Sequence, residues 1–161
     1  MFILNKSEKT EDNYAAMIQS AKALLENEND LIAVLANISA LIKSYVDELN
    51  WAGFYLLRGK ELVLGPFQGK PACIRIGEGK GVCGKAVLDG KPVNVPDVTQ
   101  FPGHIACDSG SKSELVIPFF KNNLVYGVLD VDSPILNRFT GLEIEYLGRI
   151  SALLTFFLNG S

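Results

Sequence analysis

Leu115-Val116-Ile117-Pro118-Phe119-Phe120-Lys121-Asn122-Asn123-Leu124-Val125-Tyr126-Gly127-Val128-Leu129-Asp130-Val131-Asp132 reads as two apolar strands meeting at a polar joint. β-Branched and aromatic side chains fill Leu115–Phe120 and Leu124–Asp132, the composition that packs well on a pleated surface. Asparagines tolerate the left-handed backbone of a tight turn, so Lys121-Asn122-Asn123 predicts a hairpin. The same texture recurs from Trp51 onward. Trp51–Leu57 and Glu61–Leu64 flank the turn Arg58-Gly59-Lys60, and Ala72–Ile76 and Pro92–Val95 are further short runs. Together they predict an antiparallel sheet.

Around the strands the spacing of apolar residues changes from two to three and four. Tyr14, Met17, Ala21, Leu24 and Leu25 stripe a helix between Thr10 and Asn27. After Asp30, Leu31, Val34, Leu35, Ile38, Leu41, Ile42 and Tyr45 stripe a second, with a short joint near Glu28-Asn29. A third begins at the capping-box pattern Thr140-Gly141-Leu142-Glu143 and carries Leu147, Ile150, Leu154 and Phe157. Gly81–Leu88 predicts a short helix, and Gly77-Glu78-Gly79-Lys80-Gly81 the turn before it. Asp97 to Ser113 is a long aperiodic stretch of the kind that is usually functional or disordered. We expect an α+β domain, one antiparallel sheet with N- and C-terminal helices packed largely on one side. No repeat or linker divides residues 1–161, which are read as a single domain.

Composition narrows the function. Charged residues are 20% of the 161 and the formal net charge is −3, so no basic excess exists to neutralise a nucleic-acid backbone. The N-terminus is too briefly apolar for a signal peptide, and Ile150 to Leu158 is too short to span a bilayer. A cytoplasmic protein without membrane or nucleic-acid partners is expected, and three cysteines in that setting are unlike a static disulfide framework.

All three cysteines, Cys73, Cys83 and Cys107, lie in the strand-and-loop half, and the only histidine, His104, precedes Cys107 by three residues. Free cysteines are commonly small buried hydrophobes, a reading that suits Cys73 better than Cys107 in its polar loop. Three cysteines and a histidine could also bind structural zinc. However, the cysteines are ten and twenty-four residues apart rather than in close pairs, and no metal is expected. The remaining reading is thiol redox chemistry, which needs a thiolate stabilised by local positive potential. His104 and Lys112 could supply it at Cys107, and the N-terminus of the helix after Gly81 could supply it at Cys83. Potential alone leaves both open. Asp130 and Asp132, two apart on a strand, project to one face. Glu114 lies as many residues before Lys121 as Asp130 lies after Asn123, so the hairpin brings it alongside. Three gathered carboxylates suit a substrate ammonium or share a proton. Trp51 is core or the apolar wall of a ligand site.

These residues sit in blocks that resemble a known family: Asn50-Trp51-Ala52-Gly53-Phe54-Tyr55, Gly65-Pro66-Phe67-Gln68-Gly69-Lys70-Pro71-Ala72-Cys73, Gly79-Lys80-Gly81-Val82-Cys83-Gly84, Phe101-Pro102-Gly103-His104-Ile105-Ala106-Cys107-Asp108, Ser113-Glu114 and Gly127-Val128-Leu129-Asp130-Val131-Asp132-Ser133. The chain resembles the free methionine-(R)-sulfoxide reductases, stand-alone GAF domains. The resemblance implies a GAF-like sheet and reduction of free methionine-(R)-sulfoxide without a cofactor, with recycling by a thioredoxin-type reductant. It makes Cys107 the attacking thiol, Cys73 the principal resolving one and Cys83 an alternative or auxiliary thiol, and it lines the substrate pocket with Trp51, Glu114, Asp130 and Asp132. A homodimer is expected from the apolar first helix. The rival from another class is a small-molecule sensor, since fold alone does not imply function.

Overall fold

The computed structural model describes residues 1–160. Asn122 and Asn123 both take positive φ, 51° and 63°, the pairing that matches a two-residue turn to the twist of its strands. They join β5 (Ser113–Lys121) to β6 (Leu124–Ser133). Gly59, φ 62°, opens the two-residue turn from β1 (Trp51–Arg58) into β2 (Glu61–Gly69), with positive φ at the glycine alone. With β3 (Arg75–Gly77) and β4 (Val93–Val95) these form one six-stranded sheet, ordered β3-β2-β1-β6-β5-β4, in which every neighbouring pair is antiparallel.

Alternation along the central strands divides the core in two. Ala52, Phe54, Leu56, Leu115, Ile117, Phe119, Leu129 and Val131 face three helices, α1 (Thr10–Leu25), α2 (Leu31–Tyr45) and α4 (Gly141–Leu158). Trp51, Tyr55, Val116 and Val128 face the other way, against α3 (Gly81–Asp89). The sheet is therefore covered on one side by the terminal helices and on the other by a short helix and a long loop. That loop, residues 96–112, contains only a single 3₁₀ turn at Val98–Gln100.

Helix ends follow their sequence signals. Asp30 caps α2 by accepting from the Ala33 N–H at 2.9 Å. At α4 the capping box forms: Thr140 accepts from the Leu142 N–H at 3.3 Å, and Glu143 accepts from the Thr140 N–H at 2.7 Å. Glu143 also accepts from the Tyr14 hydroxyl at 2.9 Å, tying α4 to α1.

Two strand expectations need correction. Of Ala72–Ile76 only the end is strand, because Pro71 cannot donate to a ladder and the chain at Ala72-Cys73 turns off the sheet edge. β2, expected to end at Leu64, continues to Gly69. Its partners step from Tyr55↔Leu64 to Gly53↔Phe67, so Gly65 and Pro66 together oppose Phe54 in a bulge that absorbs the proline. No helix among the described residues is long and apolar enough to cross a membrane.

Candidate active site

The acids meet through a register detail. Near the turn β5 and β6 pair as Lys121↔Leu124 and Phe120↔Val125, but beyond it as Phe119↔Gly127, so Tyr126 is one extra residue. This bulge shifts Glu114 opposite Asp132, with Val116 opposite Asp130. Equal counts from the turn, by contrast, set Glu114 beside Asp130. Without the bulge Glu114 would face Val131 and point into the other core, because a one-residue slip exchanges the faces of a strand. On the far side of β6, Trp51 pairs with Asp132 and Gly53 with Asp130. Glu114, Asp132 and Trp51 thus form one row across the sheet, and Asp130 the next. A side chain at Gly53 would collide with Phe67, so glycine is required where β1 carries the site closest to β2.

Trp51, Glu114, Asp130 and Asp132 line one small pocket, partly open to solvent. Glu114 and Asp130 are only 7% and 5% exposed, and Asp132 is half-buried. Burial pushes all three carboxyls well above the ordinary carboxylate range. The charge of each one's neighbour adds to this: Asp132 acts on Glu114, Glu114 on Asp130, and Asp130 on Asp132. Asp130 Oδ1 has no hydrogen-bond partner, and its Oδ2 accepts from the Cys83 thiol at 3.5 Å. His104 Nε2 lies 3.4 Å from Glu114 Oε2, and burial lowers the imidazole's pKa. Each carboxyl thus holds its proton to higher pH than an ordinary one, and a bound cation would draw one or more of them into the ionised form. Ligand atoms of Cys83, Glu114 and Asp130 lie within 4.8 Å of one another, close enough to gather round such a cation.

Trp51, 3% exposed, stacks on Phe67 with ring centroids 5.1 Å apart and on Tyr55 at 5.9 Å, while its indole N–H donates to Lys70 O at 3.2 Å. Trp51 is therefore packed in the core and also borders the pocket.

Cys73 and Cys107 form a disulfide at the pocket rim, their Cα atoms 5.5 Å apart. The Tyr55 hydroxyl donates to Cys73 O at 2.8 Å, holding the Cys73 side of the pair. Cys83, third in α3, is free and buried. The expectation that the α3 N-terminus lowers its pKa is not met: burial first, then the charge of Asp130, pushes this thiol well up. Lys112 does not line the pocket, whereas His104 does. The three cysteines and His104 do not converge as zinc ligands, since two are bonded to each other.

Sequence reasoning passed over Tyr55, Asn50, Asp108 and Ser111. Tyr55 could have been found by alternation, being four residues from Trp51 on the same face. Asn50 contacts the Cys107 loop through groups 58 and 61 residues away, for which no local signal exists.

The model of the GAF domain family matches residues 30–156. The free methionine-R-sulfoxide reductase of Escherichia coli is 48% identical over 141 residues, covering 88% of this chain and 86% of that protein. The free methionine-R-sulfoxide reductase of Neisseria meningitidis, solved in complex with its substrate, superposes with a TM-score of 0.93 at 39% identity, covering 98% of this chain and 96% of the other. The reduced form of the Staphylococcus aureus enzyme gives 0.88 at 47% identity over 98% and 99%. Likeness of this extent, over sequence and backbone alike, means that the chain belongs to the free methionine-R-sulfoxide reductase family of GAF domains.

Proposed function

We propose that this chain reduces free methionine-(R)-sulfoxide to methionine through Cys107 and Cys73. The observation that carries the reading is the Cys73–Cys107 disulfide, whose Cys107 lines the same pocket as Glu114, Asp130, Asp132 and Trp51. Cys107 thiolate attacks the sulfoxide sulfur while a carboxylic acid, Glu114 or Asp132, protonates the oxygen. Oxygen passes to Cys107 as a sulfenic acid and methionine leaves. The Cys73 thiol then attacks the sulfenic sulfur, water departs, and the disulfide forms. A dithiol of the thioredoxin type reduces it by exchange and itself becomes a disulfide, so the two electrons spent on the sulfoxide come from that donor. The raised carboxyl pKa values support the acid role, because such a carboxyl keeps a donatable proton to higher pH than an ordinary one.

The same cluster recognises the α-ammonium, whose charge draws one of the acids into its ionised form while another keeps the proton to be donated, and Trp51 packs on the S-methyl end. Cys83 serves as an auxiliary thiol; its burial beside Asp130 argues for a place in the pocket floor rather than as the nucleophile. Residues 1–161 act as one domain, supported by α1 sharing the core of α2 and α4, and two such chains pair as a cytoplasmic homodimer.

The test compares kcat/KM for free and N-acetylated methionine sulfoxide. An acetylated substrate has no ammonium to meet the acids, so it forgoes the charge-assisted pair. The free amino acid should be preferred by at least about a hundredfold, the effect of roughly 3 kcal/mol for one buried charge-assisted pair. Equal values would reduce the claim to a general sulfoxide reductase, and no turnover of either would remove it.

A further inference from the structure

One amide holds the far side of the Cys107 loop. Asn50 stands immediately before β1, its backbone N–H donating to Asp132 O at 3.0 Å. Its side-chain Nδ2 donates twice, to Asp108 Oδ2 at 3.0 Å and to Ser111 Oγ at 2.9 Å. The two acceptors belong to one tight turn that starts at the residue after Cys107. Asp108 Oδ1 accepts from the Gly110 N–H at 2.8 Å, and the Ser111 N–H donates to Asp108 O at 3.2 Å. Asn50 Oδ1, meanwhile, is buried with no partner. An ionised carboxylate offers no proton, so the amide must meet Asp108 nitrogen first. That orientation leaves its own oxygen unsatisfied, a standing penalty that the loop contact outweighs.

We propose that Asn50 is a positioning residue whose bonds to Asp108 and Ser111 latch the Cys107 loop and so set the redox poise of the Cys73–Cys107 pair. Asn50 touches neither sulfur and takes no part in the bond changes. It acts by holding the segment that carries Cys107 against the sheet, which raises the effective concentration of one sulfur at the other. A latch made better in the closed, disulfide-bonded loop than in the open one stabilises the disulfide against exchange. The inference rests on Cys73 and Cys107 being the working pair, but not on the identity of the substrate.

The experiment equilibrates the whole protein with dithiothreitol and its cyclic disulfide, without sulfoxide. Two exchange steps transfer two electrons and two protons from the dithiol, converting the protein disulfide to two thiols. Asn50→Asp preserves shape, removes both donors and sets one carboxylate against another. It should make the disulfide about tenfold easier to reduce, about 30 mV less negative. Asp108→Asn should act in the same direction. Combining Asn50→Asp with Asp108→Asn rebuilds the bond with donor and acceptor reversed: the amide then sits on the loop and donates to a carboxylate on the sheet, while its oxygen still accepts from Gly110. The double variant should return the equilibrium to within about twofold of wild type, which damage to folding would not do. Wild-type poise in both single variants, or a double variant no better than the worse single, overturns the proposal. If Asn50→Asp fails to fold, Asp108→Asn and Ser111→Ala, both in the loop, read the same equilibrium. A wild-type protein inactive on methionine sulfoxide would remove the proposed function and leave this measurement standing.

Discussion

Three side chains of one type meet two environments, and their chemistry divides accordingly. Cys107 and Cys73 are joined at the rim, whereas Cys83 is buried beside Asp130 with its ionisation suppressed. Cys107→Ser should abolish methionine formation in single turnover as well as steady state, because a serine hydroxyl has no accessible anion near neutral pH. Cys73→Ser should still release about one methionine per site and then stall, which quenched-flow counting against thioredoxin-coupled turnover separates. Recycling lost more severely in Cys83→Ser would exchange the two resolving roles. The buried acids also couple folding to pH. Each ionises at higher pH in the folded chain than in the unfolded one, so between the ordinary carboxylate range and the raised values the folded chain binds more protons. Stability therefore falls as pH rises through that window. Asp130→Asn has no proton to lose there. It should flatten the fall and raise Tm at neutral pH, by about 2–4 °C for each 1 kcal/mol recovered, while lowering kcat/KM. A Tm difference that does not grow with pH would show that Asp130 is not held protonated by the fold.

Elements were legible to different depths. The long amphipathic helices announce themselves by periodicity and caps, and α2 and α4 begin where Asp30 and the Thr140 capping box indicated. Thr140→Ala removes the side-chain acceptor of that box and should lower stability by about 1 kcal/mol, about 2–4 °C, in a thermal melt, with turnover at ambient temperature unchanged. An unshifted melt would mean that Glu143 alone caps α4. Strands were legible as apolar runs, but their bulges were not. Nothing in Val125-Tyr126-Gly127 marks Tyr126 as the extra residue; its ring lies under Arg58 at 5.5 Å, a contact that exists only once both hairpins are side by side. That single residue decides on which face Glu114 emerges.

The whole molecule keeps its stabilising and reacting halves on opposite faces of one sheet. Tyr14, Glu143 and Arg138 bind α1 to α4 on the helical face, with Glu143 only 3% exposed. Burial pushes the Tyr14 hydroxyl up to about 12, so it remains a donor at all working pH. Tyr14→Phe deletes a bond to a buried carboxylate and should cost about 1.5–3 kcal/mol, read as a lower midpoint in urea. Because the pocket lies beyond the sheet, KM at ambient temperature should stay at the wild-type value. A raised KM in that variant would show that the two faces communicate.

What the linear order of residues settled is what depends on local spacing. Helix faces, caps, the two hairpin turns, the antiparallel class and the chemical inventory of thiols and carboxyls all follow from neighbours a few positions apart. What folding alone settled is everything that depends on register and burial. Asp130 and Asp132 are predictable companions because strand period is two, but Glu114 joins them only through a bulge. Cys83 looked activatable from its place near a helix start and is silenced by the pocket it lines. Asn50 reaches Asp108 and Ser111 across 58 and 61 residues. Ionisation and long-range hydrogen bonds are set by dielectric and distance, and these are defined only after the sheet has closed over the site.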